Sequence, residues 1–183
     1  MHPATARHSN PHLVLVIMGV FGCGKSTVAG MLATSLEWDV AEGDDLHPAS
    51  NIDKMRAGIP LSDTDRWPWL ANVAAWIAER VESDRPGIIT CSALKRVYRD
   101  RLRAPNVVFI HLADSGGMIE QRLSDRRGHF MPAALLNSQT VALEPPGRDE
   151  YAIEVDAGPP ADHVAAHILN RLKLSPQNPV VSS

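Results

Sequence analysis

Short runs of consecutive apolar residues alternate along the chain with longer stretches in which apolar residues recur every three or four positions. Leu13–Met18 is apolar throughout and rich in valine and isoleucine, the pattern of a strand buried on both faces of a parallel sheet. Trp38–Ala41, Gly87–Cys91, Val107–Leu112 and Ala152–Val155 read as four further strands. Helices are predicted between them. The first runs from Gly24 to about Leu36, with Val28, Met31, Leu32 and Leu36 on one face, and Pro48–Ala57 forms a short second one, ended by Gly58 and Pro60. A longer helix is expected with Asp65 as its cap and Pro68 in its first turn, its core stripe being Leu70, Val73, Ala74, Ile77 and Val81. Leu94–Arg103, Ser115–Arg126, Ala133–Gln139 and Asp162–Leu172 complete the set, and Glu144–Gly147 must turn. This alternation predicts an α/β fold, a five-stranded parallel sheet with helices on both faces. Ligands bind such sheets beyond the carboxyl ends of the strands, so the polar residues after each apolar run carry the candidate chemistry.

A length of 183 residues fits one domain. Residues 1–11 are expected to be a disordered tail and 175–183 a flexible one, leaving 12–174 as the folded unit. Hydrophobic residues make up 44% and aromatic ones 5%, so the core is sizeable and aliphatic. The net charge of −3 offers no electrostatic footprint for nucleic acid or anionic membrane, and neither partner is expected. The two cysteines, Cys23 and Cys91, argue against a disulfide framework and for a reducing cytosol. The polar N-terminus does not read as a secretory signal, and Leu13–Met18 is too short to span a bilayer; a cytoplasmic protein is expected.

Directly after the first strand, Gly19–Val20–Phe21–Gly22–Cys23–Gly24–Lys25–Ser26 matches the phosphate-loop pattern GxxxxGK[ST], with the strand before and helix after that the pattern requires. Glycines let backbone N–H groups turn inward toward phosphate oxygens, and the helix adds its positive N-terminal end. Gly22, Cys23, Gly24, Lys25, Ser26 and Thr27 are the candidate nucleotide-binding residues. Lys25 is placed to reach the outer phosphates and Ser26 to ligate Mg²⁺. Phe21 is bulky and faces the question of how the loop meets the acceptor side; Cys23 reads as a small side chain. No NKxD-type segment suits a GTPase, and no strand carries the paired acids of a motor ATPase. A small kinase remains as the leading class.

Three polar clusters would serve it. After the second strand, "AEGDDLHPASNIDKMRAGIPLSDTDRWPWL" spans the acceptor region, about 44–70. Residues i and i+2 of an extended segment point the same way, so Glu42 is assigned to a Mg²⁺-bound water and Asp44 to the acceptor hydroxyl, whose proton it would take. Asp45 and Asp63 read as helix caps. The second cluster is "CSALKRVYRDRLR", in which Lys95 and Arg96 are candidates for an anionic acceptor, while Arg99, Arg101 and Arg103 read as a solvated basic face. The third is "QRLSDRRGHFMPAALLNSQ": Arg122 and Arg126 share a helix face ahead of Gly128, the expected arrangement of a mobile lid over about 122–140 that carries arginines to the transferring phosphate.

With these segments in place, the chain resembles the gluconokinases of the small phosphate-loop type. The resemblance rests on "MGVFGCGKST", "EGDDLHPASNIDKMRAGIPLSDTDRWPWL", "CSALKRVYRDRLR" and "RRGHFMPAALLNSQTVALEPP", in that order from residue 18 to about 146. It implies the nucleoside monophosphate kinase-like fold with a lid, and transfer of the ATP γ-phosphate to the 6-hydroxyl of D-gluconate with Mg²⁺, feeding sugar-acid catabolism and the pentose phosphate pathway. It also implies a homodimer. Set against the sugar acid, the residues divide into two poles. Arg66, Lys54, Lys95, Arg96 and His129, with His47 nearby, are candidates for the carboxylate. Asp44 faces the hydroxyl end, where Lys25, Arg122, Arg126 and the metal held through Ser26 and Glu42 would neutralise the moving phosphoryl group. The family usually has a small residue in place of Phe21 and aspartate in place of Glu42. Two alternatives stay open: a related kinase for another small acid, such as shikimate or another aldonate, and a non-catalytic ATP-binding regulator.

Overall fold

The computed structural model describes residues 10–114, 116–119, 121 and 133–177, with residues 133–135 as backbone only. Five strands form one sheet: β1 (Val14–Met18), β2 (Asp39–Glu42), β3 (Gly87–Thr90), β4 (Val107–Ala113) and β5 (Ala152–Asp156). Their order is β2-β3-β1-β4-β5, and every neighbouring pair is parallel, as the alternation of elements predicts. The central strand β1 is buried along its whole length, which explains its unbroken apolar run. Val14, Val16 and Met18 face one layer, while Leu15 and Ile17 face the other.

Helix α1 (Lys25–Leu36) and the last helix lie on one face of the sheet. Their Val28, Leu32, Leu36, Val164, Ile168 and Leu169 close over Leu15, Ile17, Ile88, Val108 and Ile110. Helix α3 (Asp63–Glu82) and helix α4 (Arg96–Leu102) cover the other face, with Trp69, Leu70, Val73, Ile77, Tyr98 and Leu102 against Val16, Met18, Ile89 and Phe109. The stripe expected on α3 is therefore the one it buries. Among the described residues the remaining helices with defined bounds are α2 (Ala49–Arg56), α5 (Ala133–Ala142) and α6 (Ala161–Arg171).

The start of α3 differs from expectation. Ser62, not Asp65, is the cap: its hydroxyl accepts from Asp65 N–H at 3.2 Å, while the Asp65 carboxylate accepts from Ser62 N–H at 2.9 Å. This reciprocal capping box puts the cap three residues before Asp65 and starts the helix at Asp63. Pro68 then falls in the second turn, where its missing N–H leaves the Thr64 carbonyl without its usual donor. The sequence reading also missed a 3-10 turn over Gly43–Leu46, directly after β2. The helix expected over Ser115–Arg126 falls mostly outside the described residues; within it, the Asp114 carboxylate accepts from the N–H groups of Met118 and Ile119.

Register positions the site. Ile17 is level with Thr90, and Thr90 with Glu42, so the carboxyl ends of β1, β3 and β2 form one row. The chain steps outward from β1 to the edge strand β2 and returns to β3, which puts α1 and α3 on opposite faces and opens a crevice above that row.

Candidate active site

The phosphate loop rises from the end of β1. Gly19 has φ +144°, and a Cβ there would lie 2.8 Å from Cys23 Sγ and 2.9 Å from the Leu112 carbonyl oxygen. Only glycine fits this bend, which turns the chain back toward the sheet. Lys25 Nζ donates to the carbonyls of Gly19 and Val20, both at 3.1 Å, so its ammonium sits over the loop that it also flanks. Cys23 is buried, and burial pushes its thiol up against the opposing pull of Lys25. It acts as the small side chain expected of that position. The Phe21 N–H donates to Gln139 Oε1 at 2.6 Å, tying the loop apex to α5.

The loop joins β2 through one carboxylate oxygen. Glu42 Oε2 accepts from Ser26 Oγ at 3.0 Å and from Thr90 Oγ1 at 2.6 Å. A hydroxyl and a carboxylate side by side are hard oxygen donors of the kind Mg²⁺ takes, and few of them, which suits an ion that keeps several waters. These residues fit the metal that the phosphate loop implies. No group of three or more histidine, cysteine, aspartate or glutamate side chains suited to a metal occurs among the described residues.

Gly43 follows Glu42 and explains why Asp44 stands where it does. A Cβ on Gly43 would lie 2.1 Å from the Thr90 carbonyl oxygen, so no other residue fits. Its N–H donates to Thr90 Oγ1 at 3.2 Å, and its carbonyl accepts from Trp69 Nε1 at 2.7 Å. The 3-10 turn is thereby fastened to both β3 and α3, with the Asp44 side chain exposed at the crevice edge. His47 stacks on Trp69, with centroids 4.4 Å apart and planes at 12°. Burial lowers its pKa, with Asp44 opposing. Asn51 is 2% exposed and uses its two amide protons on His47 Nδ1 (3.2 Å) and the Asp65 carbonyl (2.8 Å). Nδ1 is then an acceptor, and a neutral His47 carries its proton on Nε2.

The first turn of α3 and the residue capping α4 meet at the far side. Asp63 takes Lys95 Nζ on both oxygens, at 3.0 and 3.1 Å, and Arg66 Nη1 at 3.5 Å. The Tyr98 hydroxyl donates to Asp63 and also lies 3.4 Å from Arg66 Nη1. Tyr98 and then Lys95 hold the Asp63 carboxyl below its usual range, and Asp63 raises Lys95 in return. Asp63 is not the helix cap expected of it: Ser62 caps α3, and Asp63, the first residue of the helix, anchors this cluster. The sequence reading missed it, along with Tyr98, Thr90, Trp69 and Gln139. A tyrosine within one turn of a basic pair carries no signal of an acid partner 35 residues away, whereas the glycine in "EGDD" between charged residues is a cue to a close backbone approach.

Other predicted residues stand apart. Lys54 is paired with Asp65 at 2.7 Å, which serves the α2–α3 junction. Arg96 makes two bonds to Asp149, at 3.1 and 2.6 Å, away from Asp63. Arg99 overturns the expectation of a solvated face. It is 1% exposed and grips Glu150, 5% exposed, at 2.6 and 3.0 Å, and it donates to the carbonyls of Ala93 and Leu94. Arg122, Arg126 and His129, and with them most of the expected lid, lie outside the described residues.

No protein-family model matches the chain. It is, however, 47% identical over 161 residues to a gluconokinase of Gluconobacter oxydans, covering 87% of this chain and 90% of the relative. Two solved structures share its architecture. A sugar kinase from Janibacter, solved without ligand, has TM-score 0.83 at 43% identity and covers 94% of this chain and 100% of its own. A gluconokinase from Sinorhizobium meliloti has TM-score 0.79 at 42% identity, covering 90% and 94%.

Proposed function

The chain belongs to the gluconokinase family, and from that premise we propose how its crevice transfers the γ-phosphate of ATP to the 6-hydroxyl of D-gluconate, giving 6-phospho-D-gluconate. The enzyme is a kinase of the phosphate-loop fold, a class that works with ATP and Mg²⁺. The observation that carries the assignment of roles is the shared oxygen of Glu42. Through it Ser26, on the nucleotide side, meets the segment that presents Asp44.

Backbone N–H groups of Gly22–Thr27 bind the phosphates, and Lys25 exchanges its loop carbonyls for their outer oxygens. Ser26 and Glu42 would hold Mg²⁺, which neutralises charge on the phosphates. Asp44 orients the acceptor hydroxyl and takes its proton, while Arg66 and Lys95 receive the sugar-acid carboxylate at the opposite pole. Neutral His47, with its proton on Nε2, suits a hydroxyl of the acceptor better than its carboxylate. Arg122 and Arg126 are proposed to act on the transferring phosphate and His129 on the acceptor. The protein is proposed to be a cytoplasmic homodimer; among the described residues no helix is long and apolar enough to cross a membrane.

ADP release with Mg-ATP tests this, run without acceptor, then with D-gluconate, shikimate and a panel of aldonates. Strong stimulation by D-gluconate alone is expected. Stimulation by another acid would keep the kinase and discard the acceptor, and ATP binding without any turnover would discard catalysis. Asp44→Asn is expected to keep nucleotide binding and lose most turnover, roughly 10²-fold or more. Lys25→Ala should leave the fold intact and abolish detectable transfer.

A further inference from the structure

The carboxylate pole contains a carboxylate of its own. Asp63 engages three donors at once: Lys95 through both oxygens, Arg66 through Nη1, and the Tyr98 hydroxyl. These are the donors that an acidic ligand would seek. The group is not sealed, since the side chains of Asp63, Arg66 and Lys95 are 46%, 30% and 31% exposed. The neighbouring ionised pair, Lys54 with Asp65, is already neutral overall. Among the described residues, one carboxylate against two cations leaves a single net positive charge at this corner. Arg66 carries the surplus, because Asp63 favours Lys95 by geometry and touches the guanidinium only at 3.5 Å. Tyr98 backs both cations, with Lys95 Nζ 5.6 Å and Arg66 Cζ 5.9 Å from its ring centre.

We propose that Asp63 is a specificity-determining residue that sets this corner at one net positive charge, so that it accepts a monoanionic sugar acid and disfavours a dianionic one. The inference rests on the reading of Arg66 and Lys95 as the carboxylate pole. A residue that merely shaped the corner would act on all acids alike. A resident counter-ion acts on the difference between acids of different charge, because each negative charge of the ligand meets the same fixed charge.

The test is calorimetric binding to the full chain without nucleotide, comparing D-gluconate with D-glucarate. Glucarate has the same carbon chain with a carboxylate at both ends and no primary hydroxyl. Wild-type protein is expected to prefer gluconate, in part because the second carboxylate of glucarate meets Asp44, so the inference is read from the shift that the Asp63 variants make in that preference. Asp63→Asn is expected to move the ratio of the two dissociation constants toward glucarate by about tenfold, and by less as salt rises. Asp63→Glu keeps the charge and should restore the wild-type ratio. Lys95→Met lowers the corner to zero net charge and should move the ratio the other way, which keeps the idea testable if Asp63→Asn does not fold. If Asp63→Asn weakens both acids by the same factor, Asp63 is only a shaping residue and the inference falls while the proposed reaction stands. If wild-type protein binds ATP but neither acid, the carboxylate pole is misplaced and the inference falls with it.

Discussion

Two ionic groups built on α4 lie four residues apart and do opposite things. At the helix cap, Lys95 shares Asp63 with Arg66 in a corner open to solvent. One turn on, Arg99 is closed off with Glu150, and its Nη1 is spent on the carbonyls of Ala93 and Leu94. The open group has a charge left over, which the proposed reading gives to the sugar-acid carboxylate. The closed group has none, and it fastens the segment after α5 to the underside of α4. The lesson is that a basic helix start is not one feature: burial and the count of partners decide whether a cation binds substrate or holds the fold.

The comparison breaks hardest at Glu150. Glu150→Gln leaves Arg99 buried without its counter-charge and is expected to cost about 3–5 kcal/mol of unfolding free energy by urea titration. Replacing both partners, Arg99→Met with Glu150→Leu, should recover a large part of that loss; no recovery would mean the pair does more than satisfy itself. In the open group the effect moves from stability to affinity. Arg66→Met is expected to raise KM for the sugar acid roughly ten- to a hundredfold, the loss of a charge-assisted contact of about 1.5–3 kcal/mol, with little change in melting temperature. A drop in stability with KM unchanged would make the open corner structural and erase the contrast.

Tyr98→Phe sharpens the difference at smaller scale. It removes the hydroxyl bond to Asp63 without changing net charge, so KM should rise only a few-fold, within the range of one neutral hydrogen bond. The smallest effect is expected at the capping box. Lys54 first, and the Ser62 backbone and hydroxyl next, hold Asp65 at about 2. A carboxyl depressed in the folded state contributes its stability above its ordinary value. That contribution is expected to be intact above about pH 4 and to fade as pH falls toward about 2. Lys54→Met should flatten this acid slope in urea midpoints measured across that range.

The phosphate loop was legible because its pattern is local: glycine spacing, lysine and serine lie within eight residues, between a buried strand and a helix. The five strands and the two-faced packing followed from apolar runs for the same reason. An acid before a hydrophobic stripe suits the role of a cap, which is why the sequence points to Asp65, but Ser62 and Asp65 cap each other, which only the turn geometry reveals. The charged neighbours of Arg99 along the chain point to a solvated face; its partner is Glu150, on a segment that no local pattern ties to α4.

Apolar periodicity, a loop of fixed glycine spacing and the order of the polar segments were enough to determine the fold class, the nucleotide-binding end and the family, since each depends on neighbours in the chain. Which charges cancel and which remain was decided only by tertiary structure. Asp63 with Lys95, Glu42 with Ser26 and Thr90, and Phe21 with Gln139 are joined across 16 to 118 residues. Electrostatic and hydrogen-bond energies depend on distance in space and on access of water, and the sheet register, not the chain order, sets both.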